Sequence, residues 1–125
     1  MAIAKTPDIK YPQSQYEFFV KLEPVLNSIH YFFKIAEMYD VYILTRPSIM
    51  NPLCYTEKRI WVENYLGLEF CKKLIICPDK SLLKGQYLID DVKWDGFEGE
   101  QILFGQDPFM TWSNVHKYLK NKHKV

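Results

Sequence analysis

No stretch of this chain approaches the roughly 18 consecutive apolar residues that a membrane-spanning helix needs. Its opening residues, Met-Ala-Ile-Ala-Lys-Thr-Pro, lack the apolar core of a signal peptide. An excess of one charge is missing too: 16 Lys and Arg stand against 15 Asp and Glu, so the net charge is +1 and no global field points to nucleic acid or an anionic membrane as partner. Cysteine is scarce. Cys54, Cys71 and Cys77 are an odd number with no Cys-x-x-Cys, which argues against a disulfide framework or a zinc site. His30, His116 and His123 are scattered and read as structural or solvated. There is no internal repeat, low-complexity tract or Gly/Ser linker. These absences predict a cytosolic protein without a membrane or nucleic-acid partner.

What is present is a chain that should fold. Apolar residues make up 48% and aromatics 16%, enough for a core, and 125 residues predict one domain over 1–125. From Pro24 to Met38, the residues Val25, Leu26, Ile29, Phe32, Phe33 and Ala36 recur at three- and four-residue steps, which predicts a helix with Pro24 in its first turn. Val41–Leu44 predicts a strand, and Thr45–Leu53, with two prolines, a loop. Thr56–Leu66 predicts a second helix, with Ile60, Val62, Tyr65 and Leu66 apolar and Gly67 as its stop. Strands follow at Leu74–Cys77, Tyr87–Ile89 and Gln101–Phe104. A closing helix, Trp112–Leu119, has Thr111 or Ser113 as its cap. Lys117, Lys120, Lys122 and Lys124 then form a solvated last turn and tail. Apolar strands without period-2 alternation, joined by helices, predict an open α/β sheet buried on both faces. In such sheets a ligand sits beyond the C-terminal ends of the strands.

The chemistry-bearing residues cluster at those ends. Thr45 offers a hydroxyl for a phosphate oxygen, with Arg46 and Ser48 beside it, although turn hydroxyls commonly serve only their own loop. Lys80 follows the Leu74–Cys77 run and can neutralise phosphate or pair with an acid; Lys84 competes for that role. Asp90-Asp91 ends an apolar strand. Two adjacent carboxylates there call for a cation, and magnesium accepts one or two protein carboxylates together with waters and phosphate oxygens. The alternative is an acid pair that merely caps a turn. Glu57-Lys58-Arg59 reads as a charged helix face.

A hydroxyl, a lysine and two acids, each after a separate strand, follow the order used by haloacid-dehalogenase-like phosphotransferases. The segment from Asn51 to Gly67, above all Tyr55-Thr-Glu-Lys-Arg-Ile-Trp-Val62, together with Ile43-Leu-Thr45, Pro78-Asp-Lys80, Leu88-Ile-Asp-Asp91 and Thr111-Trp-Ser113, resembles the 5′(3′)-deoxyribonucleotidase family of that superfamily from about Phe18 to Leu119. The resemblance implies a Rossmann-like core with a mostly parallel sheet and flanking helices, a magnesium cofactor, and removal of phosphate from nucleoside monophosphates through an aspartyl-phosphate. Carried over by position, Thr45 would bind phosphate, Lys80 would stabilise the phosphorylated aspartate, and Asp90 and Asp91 would hold the metal.

The chain departs from the family pattern at its start. The family's first strand carries an Asp-x-Asp that supplies nucleophile and general acid/base, followed by a cap over the base. No two aspartates here are spaced i, i+2. If Ala2-Ile3-Ala4 stands for that strand, Lys5 and Pro7 fall near the two acid positions, and Asp8 is the only nearby carboxylate. The cap is nearly absent. Three readings follow: a phosphatase-derived protein or fragment that keeps a phosphate and metal half-site without turnover, an active magnesium-dependent nucleotidase that takes its aspartate from Asp8 or another chain, and a non-catalytic interaction module. Assembly as a homodimer is an alternative to a monomer. The topology further predicts that Met1–Lys5 fills, as a parallel strand, the slot between the strands ending at Thr45 and Asp90.

Overall fold

The computed structural model describes residues 2–3 (backbone only), 23–25 and 27–123. Their elements run β1 (Ala2–Ile3), β2 (Glu23–Pro24), α1 (Ser28–Ala36), β3 (Ile43–Thr45), α2 (Cys54–Leu66), α3 (Leu68–Cys71), β4 (Leu74–Ile76), a 3-10 turn at Lys80–Leu82, β5 (Lys84–Asp90), β6 (Glu98–Leu103) and α4 (Trp112–His123). Helices alternate with parallel strand pairs, β3 with β4 and β5 with β6. This is the predicted α/β class, consistent with a Rossmann-like core. Two compact units share these elements, one drawn from residues up to Ile29 and Tyr42–Pro78, the other from His30–Val41 and residues from Asp79 on.

In the first unit the parallel ladder pairs Ile43 with Leu74, Leu44 with Ile75 and Thr45 with Ile76. It continues through the Cys77 N–H to the Thr45 carbonyl at 2.9 Å, so Thr45 is the last strand residue rather than the first loop residue. The following loop is pinned by Asn51, which is 1% exposed and whose Oδ1 accepts from the Leu53 N–H at 3.0 Å. Helix α2 buries Cys54, Glu57, Lys58, Val62 and Leu66, while Ile60 is exposed. The buried face therefore differs from the apolar list read from the sequence. The helix stops at Gly67, whose φ of +98° and ψ of 161° lie where a side chain is strained.

In the second unit Ile35, Ile102, Val115 and Leu119 form the core, with Tyr39, Tyr87, Ile89, Phe104 and Trp112 packed around it. Val115 and Leu119 lie one helical turn apart on α4, which suits a face turned to a sheet. The Tyr39 hydroxyl donates to the Leu119 carbonyl at 2.8 Å. Helix α4 starts as predicted at Trp112, and of the two cap candidates Thr111 serves. The Asn114 N–H donates to Thr111 Oγ1 at 3.2 Å and Asn114 Oδ1 accepts from the Thr111 N–H at 3.0 Å, a reciprocal cap. Strands β5 and β6 come so close at their start that a Cβ on Gly99 (φ +142°) would stand 2.0 Å from the Gly85 carbonyl oxygen.

Two expectations fail near the N-terminus. Ala2–Ile3 pairs antiparallel with Glu23–Pro24, not in parallel with the strands ending at Thr45 or Asp90. Met1, Ala4 and Lys5 lie outside the described residues. Pro24 is part of that short strand, where its missing N–H ends a ladder instead of opening a helix. Asn27, at φ +63°, then turns the chain, and α1 begins only at Ser28.

Candidate active site

Strand β3 delivers Thr45 to its C-terminal end, with the side chain buried at 4% exposure. A buried hydroxyl needs a partner, and α2 supplies it. Lys58 Nζ donates to Thr45 Oγ1 and to the Arg46 carbonyl, thirteen and twelve residues back in the chain. Lys58 is itself buried at 8% exposure. The charged stretch Glu57-Lys58-Arg59 is thus divided. Glu57 and Lys58 face inward, and Arg59 pairs with Glu63 on the exposed side at 3.3 Å. Sequence reasoning missed this contact, yet a signal existed. Residues 54, 57, 58, 62 and 66 recur at three- and four-residue steps, so the period of the buried face passes through the two charges. Arg46 and Ser48 contribute backbone here, Arg46 through the carbonyl that Lys58 holds and Ser48 through its carbonyl to the Asn51 N–H at 3.2 Å.

The second unit carries the acids. Lys80 opens the 3-10 turn that Asp79 caps through Oδ1 to the Ser81 N–H at 3.0 Å. From there Lys80 Nζ donates to Asp90 Oδ2 at 2.6 Å, and each of the two side chains is 11% exposed. Trp94 Nε1 donates to the same Oδ2 at 3.1 Å, and the Asp91 N–H donates to Oδ1 at 2.8 Å. Burial opposes the Asp90 charge, but hydrogen bonds from Asp91 and from the Lys80 ammonium outweigh it and hold the carboxyl below the ordinary carboxylate range. Asp91 is exposed and moves the other way: its hydrogen bond with Asp90, partial burial and its neighbour's negative charge push its carboxyl up. Trp94 carried no spacing signal in the sequence. Its role depends on how the loop after Asp91 folds.

The structure therefore brings Thr45 together with Arg46 and Lys58, and Lys80 together with Asp90, Asp91 and Trp94. Asp8 lies outside the described residues. As a donor set for a cation, Asp90 and Asp91 offer hard carboxylate oxygens of the type magnesium accepts. The two are unequal, however, because three donors already satisfy Asp90. Among the described residues, no cluster of three or more His, Cys, Asp or Glu is poised to hold a metal.

The family model described as 5′ nucleotidase, deoxy (pyrimidine), cytosolic type C protein matches residues 8–119. The chain belongs to this family. It is 39% identical over 109 residues to a putative 5′(3′)-deoxyribonucleotidase of Vibrio phage KVP40, covering 85% of this chain and 64% of that protein. It is 30% identical over 111 residues to the human cytosolic-type 5′(3′)-deoxyribonucleotidase, covering 86% of this chain and 51% of that protein. It is 31% identical over 100 residues to the human mitochondrial 5′(3′)-deoxyribonucleotidase, covering 78% and 40%. The chain thus spans less than two thirds of the length of each of these relatives. Membership confirms the haloacid-dehalogenase-like assignment. Among the described residues, no helix is long and apolar enough to cross a membrane.

Proposed function

We propose that this chain binds the phosphate of a deoxyribonucleoside monophosphate through residues after β3, with a magnesium ion held at the end of β5, and that it turns the ester over slowly or not at all. The observation that supports this reading is the buried Lys58 joined to the Thr45 hydroxyl and the Arg46 carbonyl. The Thr45 hydroxyl and the Arg46 carbonyl receive the buried ammonium, and an ammonium beside a strand-end hydroxyl is a donor pair of the kind that suits phosphate oxygens. In this reading Thr45, Arg46 and Ser48 cradle the phosphate and Lys58 supplies charge beside it. Lys80, assigned to the phosphate from the sequence, serves first as the counter-ion that keeps Asp90 ionised. Asp91 faces the cation, with Asp90 contributing what its three donors leave. The cytosol is the proposed compartment.

Slow turnover is proposed for these 125 residues because they hold no two aspartates spaced i, i+2. Covalent phosphoryl transfer needs a carboxylate in line with phosphorus and a second acid for the leaving oxygen. Loss of a nucleophile typically costs several orders of magnitude in rate, because such groups act as a unit. The relatives' names favour a second reading, in which the chain is active and Asp8 or another chain supplies the aspartate. Phosphate release from deoxyuridine and thymidine monophosphates with magnesium separates the two. Little release is expected. Robust turnover that disappears in Asp8→Asn would establish the active reading, and turnover lost only in Asp90→Asn would point to attack by water. The phosphate site itself is read from the Thr45 amide during a phosphate titration, with an affinity of about millimolar expected.

A further inference from the structure

Strand β5 ends at Asp90 and β6 begins at Glu98, and the two run parallel with Leu88 opposite Gln101 and Asp90 opposite Leu103. Residues 91–97 must therefore return the length of the strand without a helix to carry them, although parallel strands usually need a dozen or more residues for a crossover. Within this connection the Phe97 N–H donates to the Trp94 carbonyl at 3.1 Å. Trp94 is also pinned from outside it. The Trp94 N–H donates to Gln101 Oε1 at 2.8 Å, and Gln101 Nε2 donates to the Trp94 carbonyl at 2.7 Å. One side-chain amide thus reads both polar groups of one peptide segment, as a neighbouring strand would. The clamp lies on the strand partnered with the one carrying Asp90.

Clamped there, Trp94 turns its indole N–H onto Asp90 Oδ2 at 3.1 Å, the oxygen that also accepts from Lys80 at 2.6 Å. Oδ1 accepts the Asp91 N–H at 2.8 Å. Three donors, one from the 3-10 turn and two from the connection after β5, thereby fix the plane of one carboxylate. A lysine alone would not do so, because an ammonium on a flexible stem sets distance better than orientation. We propose that Trp94 is the positioning residue of the Asp90 carboxylate and that Gln101 holds Trp94 where this requires it. The consequence rests on the functional reading above. Because Asp90 Oδ1 holds the Asp91 backbone, orienting Asp90 also sets where the Asp91 carboxylate is presented to a cation.

The chain has three tryptophans, Trp61, Trp94 and Trp112, so three indole N–H signals are expected in a 15N-labelled sample. The Trp94 indole proton should exchange with solvent more slowly than that of free tryptophan. Asp90→Asn and Gln101→Leu should each speed this exchange and shift that signal while leaving Trp61 and Trp112 in place. A Trp94 indole that exchanges at the free rate in the wild-type chain, or that ignores both substitutions, overturns the proposal. The wild-type measurement decides even if a variant does not fold. A second arm uses Mn2+ alone as the probe, read from broadening of the Asp91 amide. Trp94→Phe keeps the ring, removes the donor, and should weaken Mn2+ by about tenfold, the equivalent of one hydrogen bond to a charged acceptor. Unchanged Mn2+ affinity in that variant overturns the link between Trp94 and Asp91. Absence of broadening in the wild-type chain overturns instead the assignment of Asp91 to a cation, and the indole signals judge the positioning of Asp90 independently.

Discussion

Lys58 Nζ donates to Thr45 Oγ1, so the first turns of α2 are tied to the last residue of β3 through a buried charge. Removing the ammonium leaves two acceptors, the buried Thr45 hydroxyl and the Arg46 carbonyl, without this donor. Lys58→Met should destabilise the fold by about 1–3 kcal/mol, read from urea unfolding. The same variant should abolish the response of the Thr45 amide to phosphate. An undiminished response would remove Lys58 from the phosphate site.

The Lys80–Asp90 pair is a different case, because its two charges compensate each other. Breaking such a largely buried pair from one side strands the other charge, at a cost of about 3–5 kcal/mol when the burial is complete. With 11% of each side chain exposed, Lys80→Met and Asp90→Asn should each fall toward the lower end of that range. The double variant should cost less than their sum. Urea unfolding of the four proteins gives the coupling, and strict additivity would show that the pair contributes no mutual stabilisation.

Two glycines should differ sharply under the same substitution. Gly67 has open space around the missing Cβ, so Gly67→Ala should cost only the backbone strain of its positive φ, about 1–3 kcal/mol. At Gly99 a methyl group would collide with the Gly85 carbonyl oxygen as well as meeting a positive φ, so Gly99→Ala should be the more damaging by a clear margin. Thermal unfolding ranks them, and equal losses would contradict the close approach of β5 and β6.

His116 lies on α4 beside the Tyr31 ring, at 5.4 Å between centroids. Burial lowers its pKa, as do the charges of Lys120 on the same helix and of Lys34 and His30 on α1; Glu37 opposes them. The folded chain therefore binds this proton less readily than the unfolded chain. The stability contribution is present above the ordinary histidine value of about 6.5 and is lost as pH falls through the folded value. Titration of the His116 ring protons by NMR should give a midpoint below 6.5, and a midpoint above it would show that Glu37 dominates.

Local chemistry was enough to place most elements. Glycine at Gly67 stops α2, and Thr111 caps α4. The apolar runs around Leu44, Ile75, Leu88 and Ile102 became strands because residues of that kind suit a pleated, buried surface. By the same reasoning Thr45 and Asp90-Asp91 stood at strand ends in the sequence, and they stand there in the fold. These signals act over a few residues, and a sequence displays them directly. Pairing across longer separations was not legible. That Ala2–Ile3 takes Glu23–Pro24, that Lys58 reaches Thr45, and that Trp94 reaches Asp90 all depend on which groups packing brings together. The charged positions of α2 show why. Their spacing put Glu57 and Lys58 on the inner face, but a buried lysine is tolerated only where acceptors await it. The Thr45 hydroxyl and the Arg46 carbonyl are such acceptors only once β3 and α2 have packed.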